Sequence, residues 1–172
     1  MDITQSSLEA VSLPESDGQY DMFLKGLDLI SVGLRKCSAS LDRAGLSELW
    51  EKQKAQRGFE DTYRVTRIGD GFFEAAGSFV VTVRETPKSN PVTIVECEFE
   101  AHLHGEVLSQ AFIERFVLSE FQLILVPYAR QFVSSITAQM SIPPLVIPLS
   151  ISSSQKSATT PKKRKVPHAK TR

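Results

Sequence analysis

The sequence has few of the features that mark secreted, disulfide-bonded or membrane proteins. It has two cysteines, Cys37 and Cys97, too few for a disulfide framework and without metal-site spacing. The first residues, Met1 to Thr4, lack the basic start and the apolar run of a signal peptide. The longest apolar run, Leu123 to Val126, is too short to cross a membrane. We therefore expect a cytoplasmic protein that does not insert into membranes.

The sequence also lacks a convergent set of catalytic groups. It contains no Gly-rich phosphate loop, no nucleophile elbow and no His-Glu-x-x-His motif. His102 and His104, with Glu98 and Glu100, share one face of a predicted strand and could in principle bind a metal. A solvated polar face is the favoured interpretation, because a strand pair needs further ligands to complete the coordination shell. Cys97 points to the apolar side of that strand, so we expect a buried thiol. The sequence predicts no enzyme, no cofactor and no metal.

The net charge of zero hides a marked asymmetry. Residues 1–150 carry 20 acidic and 13 basic side chains, a balance of −7, whereas residues 151–172 carry seven basic side chains and no acidic one. An acidic body argues against nucleic-acid binding by the body itself. The segment Pro161 to Val166, with the cluster Lys162 to Lys165, resembles a monopartite nuclear import signal, although a solvated basic tail is the favoured interpretation. A nucleic-acid-associated protein acting through this tail stays an open alternative.

Composition and hydrophobic periodicity predict one domain with two loose ends. Residues 1–20 are predicted to be a loose N-terminal segment, residues 21–149 the folded domain, and residues 150–172 a disordered basic tail. Met22 to Leu41 is predicted to be a long, bent strand with a bulge near Gly33. Ser47 is predicted to cap a short helix over Glu48 to Gln56.

The middle of the sequence is rich in strand patterns. Phe79, Val81 and Val83 lie on one face of a predicted strand, and the turn-rich link Pro87 to Pro91 predicts a hairpin. In the next strand, from Val92 to His104, apolar and polar residues alternate over ten positions. This period of two predicts a half-buried antiparallel strand. Its apolar face comprises Val95, Cys97, Phe99, Ala101 and Leu103.

The end of the domain changes to a helical period. Ser109 is predicted to cap one helix, and Pro127 to begin a second, where its missing N–H costs nothing. The predicted apolar stripe of the second helix comprises Tyr128, Phe132, Val133, Ile136 and Met140, with Arg130 on the solvent side. Strands followed by helices predict an α+β fold, an antiparallel sheet with helices packed on one face.

The segment Glu120 to Arg130, which ends in Pro-Tyr-Ala-Arg, resembles the signature of the SecB family of export chaperones. Pro143-Pro144-Leu145 resembles the Pro-x-Leu segment that follows in that family, and Glu96 to Phe99 resembles its Cys-Glu-Val strand. The chain is more similar still to the SecB-like chaperones that accompany toxin–antitoxin pairs. Convincing similarity covers roughly residues 75–149.

The resemblance implies a four-stranded antiparallel sheet, and dimers that pair into a homotetramer. It also implies an ATP-independent holdase that binds non-native polypeptides and keeps them soluble and translocation-competent for export. An acidic sheet face would contact SecA. The implied partner contacts are Asp28, Glu96, Glu98 and Glu100. Asp28 corresponds to a second acidic position of the family, and the family's next acidic residue, four positions further on, falls on Val32 here.

Five aromatic residues are candidates for an apolar groove that accepts a client chain: Phe112, Phe116, Phe121, Tyr128 and Phe132. Their alternative role is core packing, and the sequence does not divide the set. A basic tail replaces the C-terminal helix that SecB carries after its proline segment. A dedicated chaperone for an antitoxin or another single partner is therefore a second hypothesis.

Overall fold

A computed structural model of the chain describes residues 17–106 and 108–147. The described part forms four helices and four strands. In chain order these are α1 (Asp17–Lys25), β1 (Leu27–Leu41), α2 (Arg43–Glu51), β2 (Gln56–Gly69), β3 (Phe72–Arg84), β4 (Thr93–Gly105), α3 (Gln110–Ser119) and α4 (Phe121–Gln139). The predicted loose segment, residues 1–20, is described only from residue 17, where α1 begins; its residues 1–16 and the predicted disordered tail, residues 150–172, lie outside the described residues.

The strands form one antiparallel sheet in the order β1-β4-β3-β2. The helices α3 and α4 pack on one face of it, so the predicted α+β fold with a four-stranded antiparallel sheet is confirmed. The largest fully buried side chains include Phe73 and Phe79 from the sheet and Phe121 from α4. No helix in the described part of the chain is long and apolar enough to cross a membrane.

The first helix corrects the prediction for the beginning of the domain. Residues 22–25 were expected to start a strand, but Asp17–Lys25 is helical and β1 begins at Leu27. Tyr20 and Phe23 are three residues apart and therefore share a helix face, which packs against Phe112 of α3 with ring centroids 5.7 Å away in each case. This distant contact could not be read from the local pattern.

The bulge expected near Gly33 is replaced by two bulges that flank it. Leu29 pairs with Leu103 and Ser31 with His102, so Ile30 is an extra residue without a partner position on β4. A second register shift, between Leu34 and Lys36, leaves Arg35 as the extra residue. Each bulge resets the alternation of side chains along β1.

The second helix begins earlier than predicted. Asp42, not Ser47, is its N-cap, and the Gly45 amide donates a hydrogen bond of 3.0 Å to the Asp42 carboxylate. Ser47 therefore lies inside the helix. An aspartate is an equally good cap, and it satisfies an amide that has no partner within the helix.

The strand with the clearest alternation is confirmed. All five residues of its predicted apolar face are buried, as are Phe79, Val81 and Val83 on β3. The predicted hairpin joins β3 to β4. Alternation is informative here because the helices cover one face of these two central strands and leave the other open.

The last helix begins at Phe121, and the prediction that Pro127 starts it is wrong. Pro127 lies inside α4 at an exposed position, where the helix loses one hydrogen bond on its solvent side. The buried stripe repeats every four residues and comprises Phe121, Leu125, Ala129, Val133 and Thr137. Of the predicted stripe only Val133 is buried, whereas Tyr128 is exposed and Phe132, Ile136 and Met140 are half-buried.

Arg130 was predicted on the solvent side of α4, but it is half-buried. Its Nε donates a hydrogen bond of 3.0 Å to the carbonyl of Ile147. Leu145 and Ile147 are buried, so this arginine fastens the extended segment after α4 to the body of the domain.

Candidate polypeptide-binding surface

The helices leave one strand of the sheet uncovered. α3 packs against β2, and α4 packs against β3 and β4. On β1, the side chains on the helix side of the sheet are therefore accessible: Leu29 is 43% exposed and Leu34 is 45% exposed. Val32 between them is half-buried. An edge strand in this position presents apolar side chains where most domains would cover them.

Phe99 connects this row to the last helix. It lies directly opposite Leu34 in the pairing of β1 with β4. Its ring centroid is 6.3 Å from that of Tyr128 and 6.2 Å from that of Phe132. Tyr128 is 42% exposed, so the apolar row on β1 continues across Phe99 to the outer side of α4. We call this the β1–α4 surface, comprising Leu29, Val32, Leu34, Phe99, Tyr128 and Phe132.

The structure divides the five aromatic groove candidates into two groups. Phe112, Phe116 and Phe121 are buried in the core. Phe116 contacts both Phe73 and Phe121, with ring centroids 6.0 Å apart in each case, and it joins the helices to the sheet. Tyr128 and Phe132 remain at the β1–α4 surface.

Sequence reasoning missed the contribution of Leu29 and Leu34 to this surface. In the sequence they were part of a strand whose two faces could not be assigned. The bulge at Ile30 lies between them and brings both leucines to the helix side, and the position of α4 decides that they stay uncovered. A local sequence pattern does not show where α4 lies on the sheet.

The predicted acidic contacts lie on the opposite, open face of the sheet, where β4 presents Glu96, Glu98 and Glu100. Glu98 accepts a hydrogen bond of 2.9 Å from Arg64 and lies 3.6 Å from Arg35. Arg35 also donates to Glu100 at 3.1 Å. The face is therefore a network of ion pairs and not a free acidic patch.

Hydrogen bonds from hydroxyl groups add to this network. Ser38 donates to Glu96 at 3.0 Å, Thr66 to Glu100 at 3.0 Å, and Ser78 to Glu98 at 3.1 Å. The hydrogen bond from Arg64, which outweighs partial burial, holds the pKa of Glu98 below its usual range.

Asp28 and Val32 do not belong to this network. Asp28 is exposed at the start of β1, opposite His104, and forms no ion pair with any residue the structure describes. Val32 faces the helix side, so an acidic residue at its position would not join the open face.

His102, on the open face, contacts an aromatic ring and a carboxylate. His102 stacks on the Phe72 ring at 5.0 Å, and its Nδ1 lies 3.4 Å from a carboxylate oxygen of Glu74. Over residues 17–106 and 108–147, no three His, Cys, Asp or Glu side chains come together as a metal site would require.

Comparison with known proteins supports the fold. No protein-family model and no curated protein matches the chain. Among solved structures, the chain is similar to the Mycobacterium tuberculosis SecB-like chaperone Rv1957 in complex with a ChAD peptide from the HigA1 antitoxin. The identity is 17% and the TM-score 0.65, over 77% of this chain and 96% of that one.

A protein of unknown function from Streptococcus agalactiae also matches, at 11% identity and a TM-score of 0.40, over 71% of this chain and 96% of that one. At 17% identity the Rv1957 match carries information about the fold and not about the activity. The Rv1957 match agrees with the resemblance seen in the sequence: the chain has the fold of the SecB-like chaperones.

Proposed function

We propose that this chain is a chaperone that binds non-native polypeptides without ATP, and that the β1–α4 surface is its binding site. The observation that supports this most directly is the row of apolar side chains from β1 to α4, in which the exposed Leu29, Leu34 and Tyr128 are joined through the buried ring of Phe99. Apolar surfaces of this kind, next to polar neighbours, are typical of protein-binding sites. Hydrophobic contact is not directional, so such a surface suits clients that share exposed apolar side chains and not one sequence.

The edge position of β1 offers a second means of binding. Its 15 residues pair with β4 on one side only, so the backbone groups on the other side are not used by the described sheet. An extended client segment beside β1 could hydrogen-bond to those groups and place alternate side chains against Leu29 and Leu34. The client would then be recognised as an extended apolar chain.

A dedicated partner, such as an antitoxin, is a second candidate function, and one structural observation favours it over SecA-directed export. Glu98 and Glu100 are already bound by Arg35 and Arg64, so a cationic partner such as SecA would have to displace these arginines. The protein from M. tuberculosis with the same fold is described in complex with an antitoxin peptide. Co-expression with the small protein encoded by a neighbouring gene would test this: a stable complex is expected, and free proteins would favour a general holdase.

We further propose that the chain works in the cytoplasm as a homotetramer, a dimer of dimers. Light scattering on the purified full chain tests the assembly. A monomeric mass at working concentration would contradict it.

Suppression of aggregation tests the binding function itself. The full chain is mixed with a chemically unfolded client in the absence of nucleotide, and light scattering is followed. Leu34→Asp places a charge in the β1–α4 surface and is expected to weaken client binding at least tenfold, which corresponds to about 1.4 kcal/mol.

Ile68→Asp is the matched control for this variant. Ile68 is 47% exposed, against 45% for Leu34, lies on the other edge strand, β2, and pairs with the buried residue Phe73. This variant is expected to suppress aggregation like the unsubstituted chain. Equal losses in both variants, or no suppression by the unsubstituted chain with several clients, would contradict the proposal.

A further inference from the structure

The two cysteines lie directly opposite each other in the sheet. Cys37 on β1 is the register partner of Cys97 on β4. Opposite residues of antiparallel strands have Cα atoms about 4.5–5.5 Å apart, within the range of about 4.4–6.8 Å that disulfides adopt. Their Cβ atoms, about 4.5–5.5 Å apart, are slightly farther from each other than a relaxed disulfide prefers. A bond between them would be feasible but strained, and hence easily reduced.

The two thiols differ strongly in access. Cys37 is exposed, whereas Cys97 is 3% exposed. Burial raises the pKa of Cys97 to about 12, and the nearby Cys37 adds to the shift. A small disulfide reagent therefore reacts first with Cys37, because Cys97 is buried and its thiol is a poor nucleophile.

We propose that Cys37 and Cys97 form a reversible dithiol–disulfide site that exchanges with low-molecular-weight disulfides. The Cys37 thiolate attacks one sulfur of the reagent, forms a mixed disulfide and releases one thiolate. Cys97 then loses its proton to that thiolate, attacks the Cys37 sulfur and releases the second thiolate, which takes up the proton that Cys37 lost when its own thiolate formed. The two protein thiols are oxidised to one disulfide, and the reagent is reduced to two thiols.

This site goes beyond the proposed function. Cys37 lies on the helix side of β1, in the same row as Leu34, so the disulfide would fasten the exposed strand to β4 beside the β1–α4 surface. The bond is detected without any client, so its absence would leave the proposed binding function untouched, and the reverse also holds.

The probe is oxidised glutathione, applied to the full chain over a range of ratios to reduced glutathione. Free thiols are then blocked and the chain is digested with trypsin. We expect a disulfide-linked pair of peptides, residues 37–43 and residues 89–115, that dithiothreitol separates. Because the Cys97 thiolate limits the second step, its rate is expected to rise about tenfold per pH unit between about pH 7 and pH 9.

Two variants separate the steps. Cys97→Ala is expected to accumulate glutathione on Cys37, because the second step is lost. Cys37→Ala is expected to stay unmodified, because Cys97 is buried. The proposal is overturned if the unsubstituted chain keeps glutathione on Cys37 without linking the two peptides. Oxidation that joins two chains through Cys37 would overturn it equally.

Discussion

The hydroxyl of Tyr20 donates a hydrogen bond of 2.6 Å to a carboxylate oxygen of Glu120 and thereby ties α1 to the junction between α3 and α4. The Arg115 guanidinium lies 3.9 Å from the centre of the Tyr20 ring. Burial, followed by the bond to Glu120, raises the pKa of Tyr20 to about 12. A helix absent from the sequence-based prediction therefore holds the junction from which the helix beside the binding surface begins.

Tyr20→Phe removes only this hydroxyl and is expected to lower the free energy of unfolding by about 1–2 kcal/mol, because the bond is part-buried and its acceptor is charged. Urea denaturation measures the difference. Tyr128→Phe is the matched control, since its hydroxyl belongs to an exposed ring. An unchanged midpoint for Tyr20→Phe would show that water replaces Glu120 without cost.

Phe121→Ala and Tyr128→Ala are expected to have opposite effects on stability and on binding. Phe121 is fully buried, so its truncation should cost roughly 3–5 kcal/mol of unfolding free energy. Tyr128 is exposed, so its truncation should cost about 1 kcal/mol or less and weaken client binding. Denaturation and the aggregation assay are run on both variants. A large stability loss in Tyr128→Ala, with client binding retained, would remove this residue from the proposed binding surface.

The ion pair of Glu98 predicts a dependence of stability on pH. Because Arg64 lowers the pKa of Glu98 in the folded state, this group stabilises the fold at pH values above the pKa of an unfolded glutamate, about 4.3. The contribution is lost as the pH falls through the lowered pKa. The difference in unfolding free energy between the unsubstituted chain and Glu98→Gln should thus be constant near neutral pH and shrink in acid.

Glu60→Gln is the control for this prediction. Glu60 is exposed on the same open face and forms no ion pair with a described residue. Its substitution should leave the pH profile of stability unchanged. A difference between the unsubstituted chain and Glu98→Gln that does not change with pH would mean that the pair adds no net stability.

The sequence predicts best the strands and helices that bury one face and expose the other to solvent. β4 is such an element, so its five apolar residues were assigned to the core before the structure was known. β1 is covered on neither face, and its alternation is interrupted twice, so its pattern was ambiguous. Pro127 misled the prediction of α4, because an exposed proline inside a helix resembles one that begins it.

The residues of the β1–α4 surface were hard to predict for the same reason, because their burial depends on which side chains the helices cover. The prediction assigned Tyr128 to a buried stripe. In the structure the buried stripe runs through Phe121, Leu125 and Ala129, and Tyr128 lies on the neighbouring, solvent-facing side of α4. Leu34 could not be recognised at all, since its exposure depends on how far α4 reaches across the sheet. Residues of a binding surface resemble core residues in composition, and only the tertiary arrangement separates them.

The bulges of β1 also determine which changes in chain length the domain can tolerate. Ile30 is 61% exposed and has no partner position on β4, whereas its neighbours Leu29 and Ser31 pair with consecutive residues. Deleting Ile30 would make the pairing regular between Leu29 and Ser31 and leave every other side chain of β1 on its present face. Deleting Ser38, which has a partner, would force one flank of the strand to exchange its faces.

We therefore expect the chain without Ile30 to keep a cooperative thermal transition and client binding, and the chain without Ser38 to lose both. Comparable damage from the two deletions would mean that the bulge holds β1 in a shape the domain needs. Otherwise Ile30 is a position at which natural variants of this domain can lose a residue without rebuilding the surface beside it.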